Sequence, residues 1–77
     1  MIYKTGYLYR TLTDGNSLWN FDLINRIDFI DKNVIFLVVQ DNTFYNDHFM
    51  KILTSDGTIG LMFKYTREGI FEEIGNK

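Results

Sequence analysis

The stretch Phe49-Met50-Lys51-Ile52-Leu53-Thr54-Ser55-Asp56-Gly57-Thr58-Ile59-Gly60-Leu61-Met62-Phe63 decides the fold. Two apolar runs flank Ser55-Asp56-Gly57, and Asp-Gly in that setting is a strong hairpin signal because both residues tolerate the positive φ of a tight reversal. Two registers are open. If Asp56-Gly57 is a two-residue loop, Ile52 lies opposite Leu61 and Met50 opposite Phe63. If Ser55-Asp56-Gly57 is a three-residue loop with Gly57 left-handed, Ile52 meets Gly60 and Met50 meets Met62. Either way apolar residues face outward. In the second register Phe49, Leu53, Ile59, Leu61 and Phe63 share the face opposite Met50, Ile52 and Met62, and one small sheet does not bury both faces without another layer.

Working towards the N-terminus, Gln40 to His48 is polar apart from Phe44 and Tyr45 and is expected as an exposed loop. Val34 to Gln40 is dense in β-branched residues and apolar on both faces, which marks a buried strand. Asp31-Lys32-Asn33 before it reads as a turn that follows Arg26 to Ile30. Leu18 to Ile24 fits either an irregular loop carrying aromatics inward or a short helical turn, and loop is the reading taken. Ile2 to Leu12 alternates apolar and polar residues as a first strand and ends at the turn-forming cluster Thr13-Asp14-Gly15-Asn16. Towards the C-terminus, Tyr65 to Gly69 reads as a one-turn connector, Ile70 to Ile74 as a closing strand and Gly75 to Lys77 as a frayed tail.

Composition sets the limits. Seventy-seven residues, 45% of them hydrophobic with a net charge of −2, make one folding domain spanning 1–77 and not a disordered chain. There is no cysteine, so disulfides, thiolate nucleophiles and cysteine metal sites are excluded, and a reducing compartment fits. Thirteen aromatic residues supply the apolar area that a short chain otherwise lacks. The longest uncharged apolar run, Val34 to Val39, is far short of the roughly 20 residues that span a bilayer. A cytoplasmic protein with no membrane contact is expected. The eight Lys and Arg are scattered, with no basic run to neutralise a phosphate backbone, so nucleic acid is not the favoured partner. Frequent Ile, Asn, Lys, Phe and Tyr match AT-rich coding, as in many phages and low-GC bacteria.

The order of strands, the long first loop, the Asp-Gly hairpin and the single-turn connector resemble an SH3-like small barrel of the bacterial or phage type. Phe49 to Phe63 looks like its distal hairpin, Gly60 like the glycine after the turn, Tyr65 to Gly69 like the connecting turn and Ile70 to Ile74 like the final strand. The resemblance implies an all-β, five-stranded SH3-like small barrel with a short helical turn before the last strand. Eukaryotic SH3 domains bind proline-rich peptides through a groove that includes a tryptophan opening the third strand and a proline after the fourth. Phe49 holds the first place and no proline follows Phe63-Lys64, while Trp19 sits in the first long loop, so that activity is not carried over.

No chemistry-bearing constellation emerges. His48, the single histidine, adjoins Asp47 but has neither Ser17 nor Ser55 in a nucleophile context. Asp41, Asp47 and His48 match no metal-ligand spacing. Glu72 and Glu73 point to opposite faces of a strand, and Asp28 and Asp31 bracket a turn, so neither pair acts as acid and base. No phosphate-cradling glycine loop is present. The expectation is a non-enzymatic protein without cofactor or metal: a protein-interaction module of a phage or bacterial accessory protein, binding a partner or self-associating as an oligomer through an apolar sheet face. Its contact residues are expected to be Trp19, Tyr45, Phe49, Leu53, Ile59, Leu61 and Phe63. A small-barrel nucleic-acid-binding protein using exposed aromatics, or a virion structural subunit, is the alternative.

Overall fold

The computed structural model describes residues 3–44, 48–65 and 69–76. The protein is all-β: seven strands, β1 (Tyr7–Thr11), β2 (Asn16–Trp19), β3 (Arg26–Ile30), β4 (Ile35–Phe44), β5 (Phe49–Thr54), β6 (Ile59–Phe63) and β7 (Phe71–Asn76), with no helix among the described residues. They form one antiparallel sheet in the order β3-β2-β6-β5-β4-β1-β7.

The three-residue register is the one adopted, with Ile52 opposite Gly60 and Met50 opposite Met62. Gly57 takes φ +91°, its N–H donates to the Thr54 carbonyl at 3.0 Å, and the Thr54 N–H donates to the Thr58 carbonyl at 2.9 Å. Asp56 braces the turn: Thr54 Oγ1 donates to its carboxylate, and the Thr58 N–H donates to it at 3.1 Å. These bonds hold the Asp56 carboxyl below its ordinary range.

With that register fixed, Met50, Ile52 and Met62 turn inward beside Leu18, Phe36 and Val38. Tyr9, Phe36, Phe71 and Tyr3 complete the core as a run of ring contacts 5.3–5.9 Å between centroids. The polar ends of the buried tyrosines are used. Tyr3 donates its hydroxyl to the Tyr65 carbonyl, and the Tyr9 hydroxyl accepts the Lys4 N–H at 2.8 Å. Burial pushes both phenols above their usual range. Buried Thr11 is likewise satisfied, since its Oγ1 accepts the Val34 N–H at 2.9 Å and donates to the Asp31 carbonyl, closing the Asp31-Lys32-Asn33 turn with Asn33 at φ +68°.

Several expectations are corrected. Among the described residues the sheet has seven strands where five were expected, and it is open, not a closed barrel. The two extra strands lie in the expected first loop, where Asn16–Trp19 pairs with both Arg26–Ile30 and Ile59–Phe63. Asn16 is buried there without penalty because its amide donates to the carbonyls of Thr13 and Ile30. The polar segment after Val39 extends β4 to Phe44, because two register shifts let it keep pairing with β5. The first strand starts only at Tyr7, and Gly75 and Asn76 belong to β7, paired with Leu8 and Tyr7. The expected helical turn before the last strand falls mainly on 66–68, outside the described residues.

Gly60 shows why β2 joins this sheet. A Cβ at this position would lie 2.8 Å from the Trp19 carbonyl oxygen and 3.0 Å from Leu18 side-chain carbons. Gly60→Ala therefore forces β2 away from β6 and is expected to destabilise the protein by about 1–3 kcal/mol, read as a lower midpoint in urea unfolding.

Candidate functional site

The face of the sheet opposite the core is set by the same alternation. Odd-numbered residues of β5 and β6 point there, and the cross-strand pairs arrange them in rows. Ile59 lies opposite Leu53, Leu53 opposite Leu37, and Leu37 opposite Leu8, an aliphatic row crossing four neighbouring strands. Ile35 flanks it, and Leu8, Ile35, Leu37 and Leu53 line a shallow depression of about 250 Å³. Ile59 and Ile35 keep 42% and 41% of their surface exposed, and the three leucines are half-buried. Next to Ile35 stands Arg10, paired with Glu72 at 3.5 Å.

The following row is Trp19, Leu61 and Lys51. Leu61 is fully buried, so it is not a contact residue as expected; its neighbours cover it. Lys51 extends over the Phe21 ring, 5.0 Å from the centroid. This ridge separates the aliphatic row from a second hollow of about 410 Å³ lined by Ser17, Trp19, Leu23, Phe49, Phe63 and Tyr65. Phe63 packs edge-on against Phe49 and Tyr65 at 5.6 and 5.0 Å, and His48 stacks on Phe63 at 6.3 Å.

Leu23 reaches this hollow from the tip of the β2–β3 connection with φ +56°, an uncommon conformation for leucine. The tip is held by Asp22, whose carboxylate accepts the N–H groups of Ile24 and Asn25 at 2.8 and 3.1 Å and the Asn25 amide at 3.0 Å. The Leu23 N–H donates to the Asn20 carbonyl at 2.9 Å. The Asp22 carboxyl is correspondingly held below its ordinary value of 3.8 by the backbone N–H of Ile24 first and that of Asn25 second.

No protein-family model, no curated protein and no solved structure matches this chain. The site is therefore read from its own geometry. Of the residues singled out in the sequence, Trp19, Phe49 and Phe63 meet in the aromatic hollow. Leu53 and Ile59 belong to the aliphatic row, and Tyr45 lies outside the described residues, as does Asp47. Leu8, Ile35, Leu37 and Leu23 were missed. The two-sided apolarity of Val34 to Val39 was the available signal for Ile35 and Leu37; nothing in the sequence announces Leu23. Among the described residues, no three His, Asp or Glu side chains gather as metal ligands, and no helix is long and apolar enough to cross a membrane.

The capped tip gives a pH test. With its folded pKa lowered, Asp22 contributes stability above the unfolded value of 3.8, and that contribution is lost as pH falls through the lower folded value. Asp56 acts in the same sense. Thermal midpoints are expected to fall with acidification between about pH 5 and pH 2. The double variant Asp22→Asn with Asp56→Asn should show a shallower fall.

Proposed function

We propose that this chain is a non-catalytic protein-interaction module that docks another protein on the aliphatic row Leu8, Leu37, Leu53 and Ile59. One observation carries the reading: the side chains of this row meet in register across four strands on the face opposite the core, and Ile59 at its end keeps 42% of its surface exposed. Three inter-strand spacings of about 4.8 Å make the row roughly 14 Å long. A protein interface places its apolar centre within a polar rim. Here the rim is supplied by Arg10 with Glu72 on one side and Lys51 on the other. Burying such aliphatic surface contributes about 25 cal/mol per Å² of apolar area removed from water, which favours association once a complementary surface is met.

A second copy of the chain is the first occupant to test, because it requires nothing else. Sedimentation across micromolar concentrations is expected to show reversible association that Leu53→Lys or Ile59→Lys abolishes, with the circular dichroism of the fold unchanged. Should the unmodified chain stay monomeric, a host protein retained on the immobilised chain and lost with Leu53→Lys would carry the reading. A monomer that retains no protein through this row would overturn it.

A further inference from the structure

Among the described residues β3 and β7 end the sheet, and the two edges are finished differently. At β7 the carboxylates of Glu72 and Glu73 are engaged by Arg10 at 3.5 Å and Lys4 at 3.6 Å. β3 carries one basic and one acidic side chain, Arg26 and Asp28. Among the described residues this strand pairs only with β2, and four of its five residues are exposed, Ile27 at 46% and Phe29 at 49%. An edge strand turns the N–H and C=O groups of alternate residues out of the sheet, where a further strand can pair with them. The Phe29 N–H donates at 2.8 Å to the carboxylate of its own neighbour, Asp28. A side chain thus stands in for the carbonyl that an added strand would bring.

On the Leu18 side of this edge, Asp28 enters a concavity of about 250 Å³. Asp31 and Asp56 line it as well, the latter from the β5–β6 turn, together with Val34, Thr54 and Ser55; its lining holds three carboxylates and no basic residue. The opposite side of the strand offers the Phe29 ring, with the Arg26 guanidinium 3.9 Å from its centroid.

We infer that β3 receives an extended segment of a partner protein as an added strand, a segment whose basic side chains alternate with apolar ones. Its backbone carbonyl takes the Phe29 N–H and releases the Asp28 carboxylate. Its Lys or Arg side chains then face Asp28, Asp31 and Asp56, while its apolar side chains cover Ile27 and Phe29. A second copy of β3 fits less well. Antiparallel pairing centred on Asp28 sets two carboxylates against each other. Pairing centred on Ile27 requires the backbone of Asn25, whose N–H already donates to Asp22 and whose carbonyl already accepts from Asn20.

This surface lies apart from the aliphatic row, so the two readings fail separately. The test is fluorescence anisotropy with labelled peptides of about eight residues: alternating Val and Lys, the same with Glu for Lys, and the Val–Lys peptide N-methylated along the edge that pairs. The Val–Lys peptide is expected to bind, with the other two at least about tenfold weaker. Asp28→Lys should weaken the Val–Lys peptide at least about tenfold, and Ile59→Lys should leave its affinity unchanged. Circular dichroism confirms that each variant is folded. Slower hydrogen exchange at the Phe29 amide in the complex would support strand addition. The inference is overturned if the N-methylated peptide binds as well as its parent, if Asp28→Lys has no effect, or if no peptide binds at about 1 mM. Self-association of Asp28→Asn through β3 in place of peptide binding would overturn the choice of occupant.

Discussion

The turn at Ser55-Asp56-Gly57 governs what every neighbouring side chain does. Side chains alternate with a period of two, so slipping the β5–β6 pairing by one residue would change which residues of β6 stand over Met50 and Ile52. The turn resists that slip with hydrogen bonds from Gly57 to Thr54, from Thr54 to Thr58 and from Thr58 to Asp56. Gly60 then arrives on the inner face opposite Ile52, where its missing side chain leaves room for Leu18 and the Trp19 carbonyl. Through that contact β2 joins β6, and β3 follows β2. The aromatic hollow and the acidic concavity, built from β2, β3 and the turn itself, both depend on this register.

What could be read in the sequence followed the strength of its local signals. The hairpin and the Val34 to Gln40 strand were legible because apolar alternation and β-branched density are local properties. The hairpin register was not, because Asp-Gly suits a two-residue loop as well as a three-residue loop, and the choice depends on how Thr54 and Asp56 bond. Strands β2 and β3 escaped notice for a different reason. Their residues, including Asn16, Ser17, Arg26 and Asp28, look like loop residues, and they become strands only because Gly60 admits β2 and Asp22 caps the connection. The polar end of β4 is similar: Gln40 is in a strand because Lys51 is there to pair with it.

The candidate surfaces divide along the same line. Phe49, Leu53, Ile59 and Phe63 were found by alternation within one hairpin. Leu8 and Leu37 required the register between β1, β4 and β5, a long-range property. Leu61 shows the limit of alternation alone. It shares the outer face with Leu53 and Phe63, yet its neighbours bury it completely. Charge is also sorted by the fold, with Asp28, Asp31 and Asp56 in one concavity although they are dispersed in sequence.

The hydroxyl of Tyr3, donated to the Tyr65 carbonyl, and the pairing of β1 with β7 join the two extremes of the described chain. During synthesis on the ribosome, the half-core made by Tyr9 and Phe36 has no Phe71 to close against until the last strand emerges. The nascent polypeptide must therefore hold its aromatic cluster open until that strand has left the ribosome, so the core closes late and all at once.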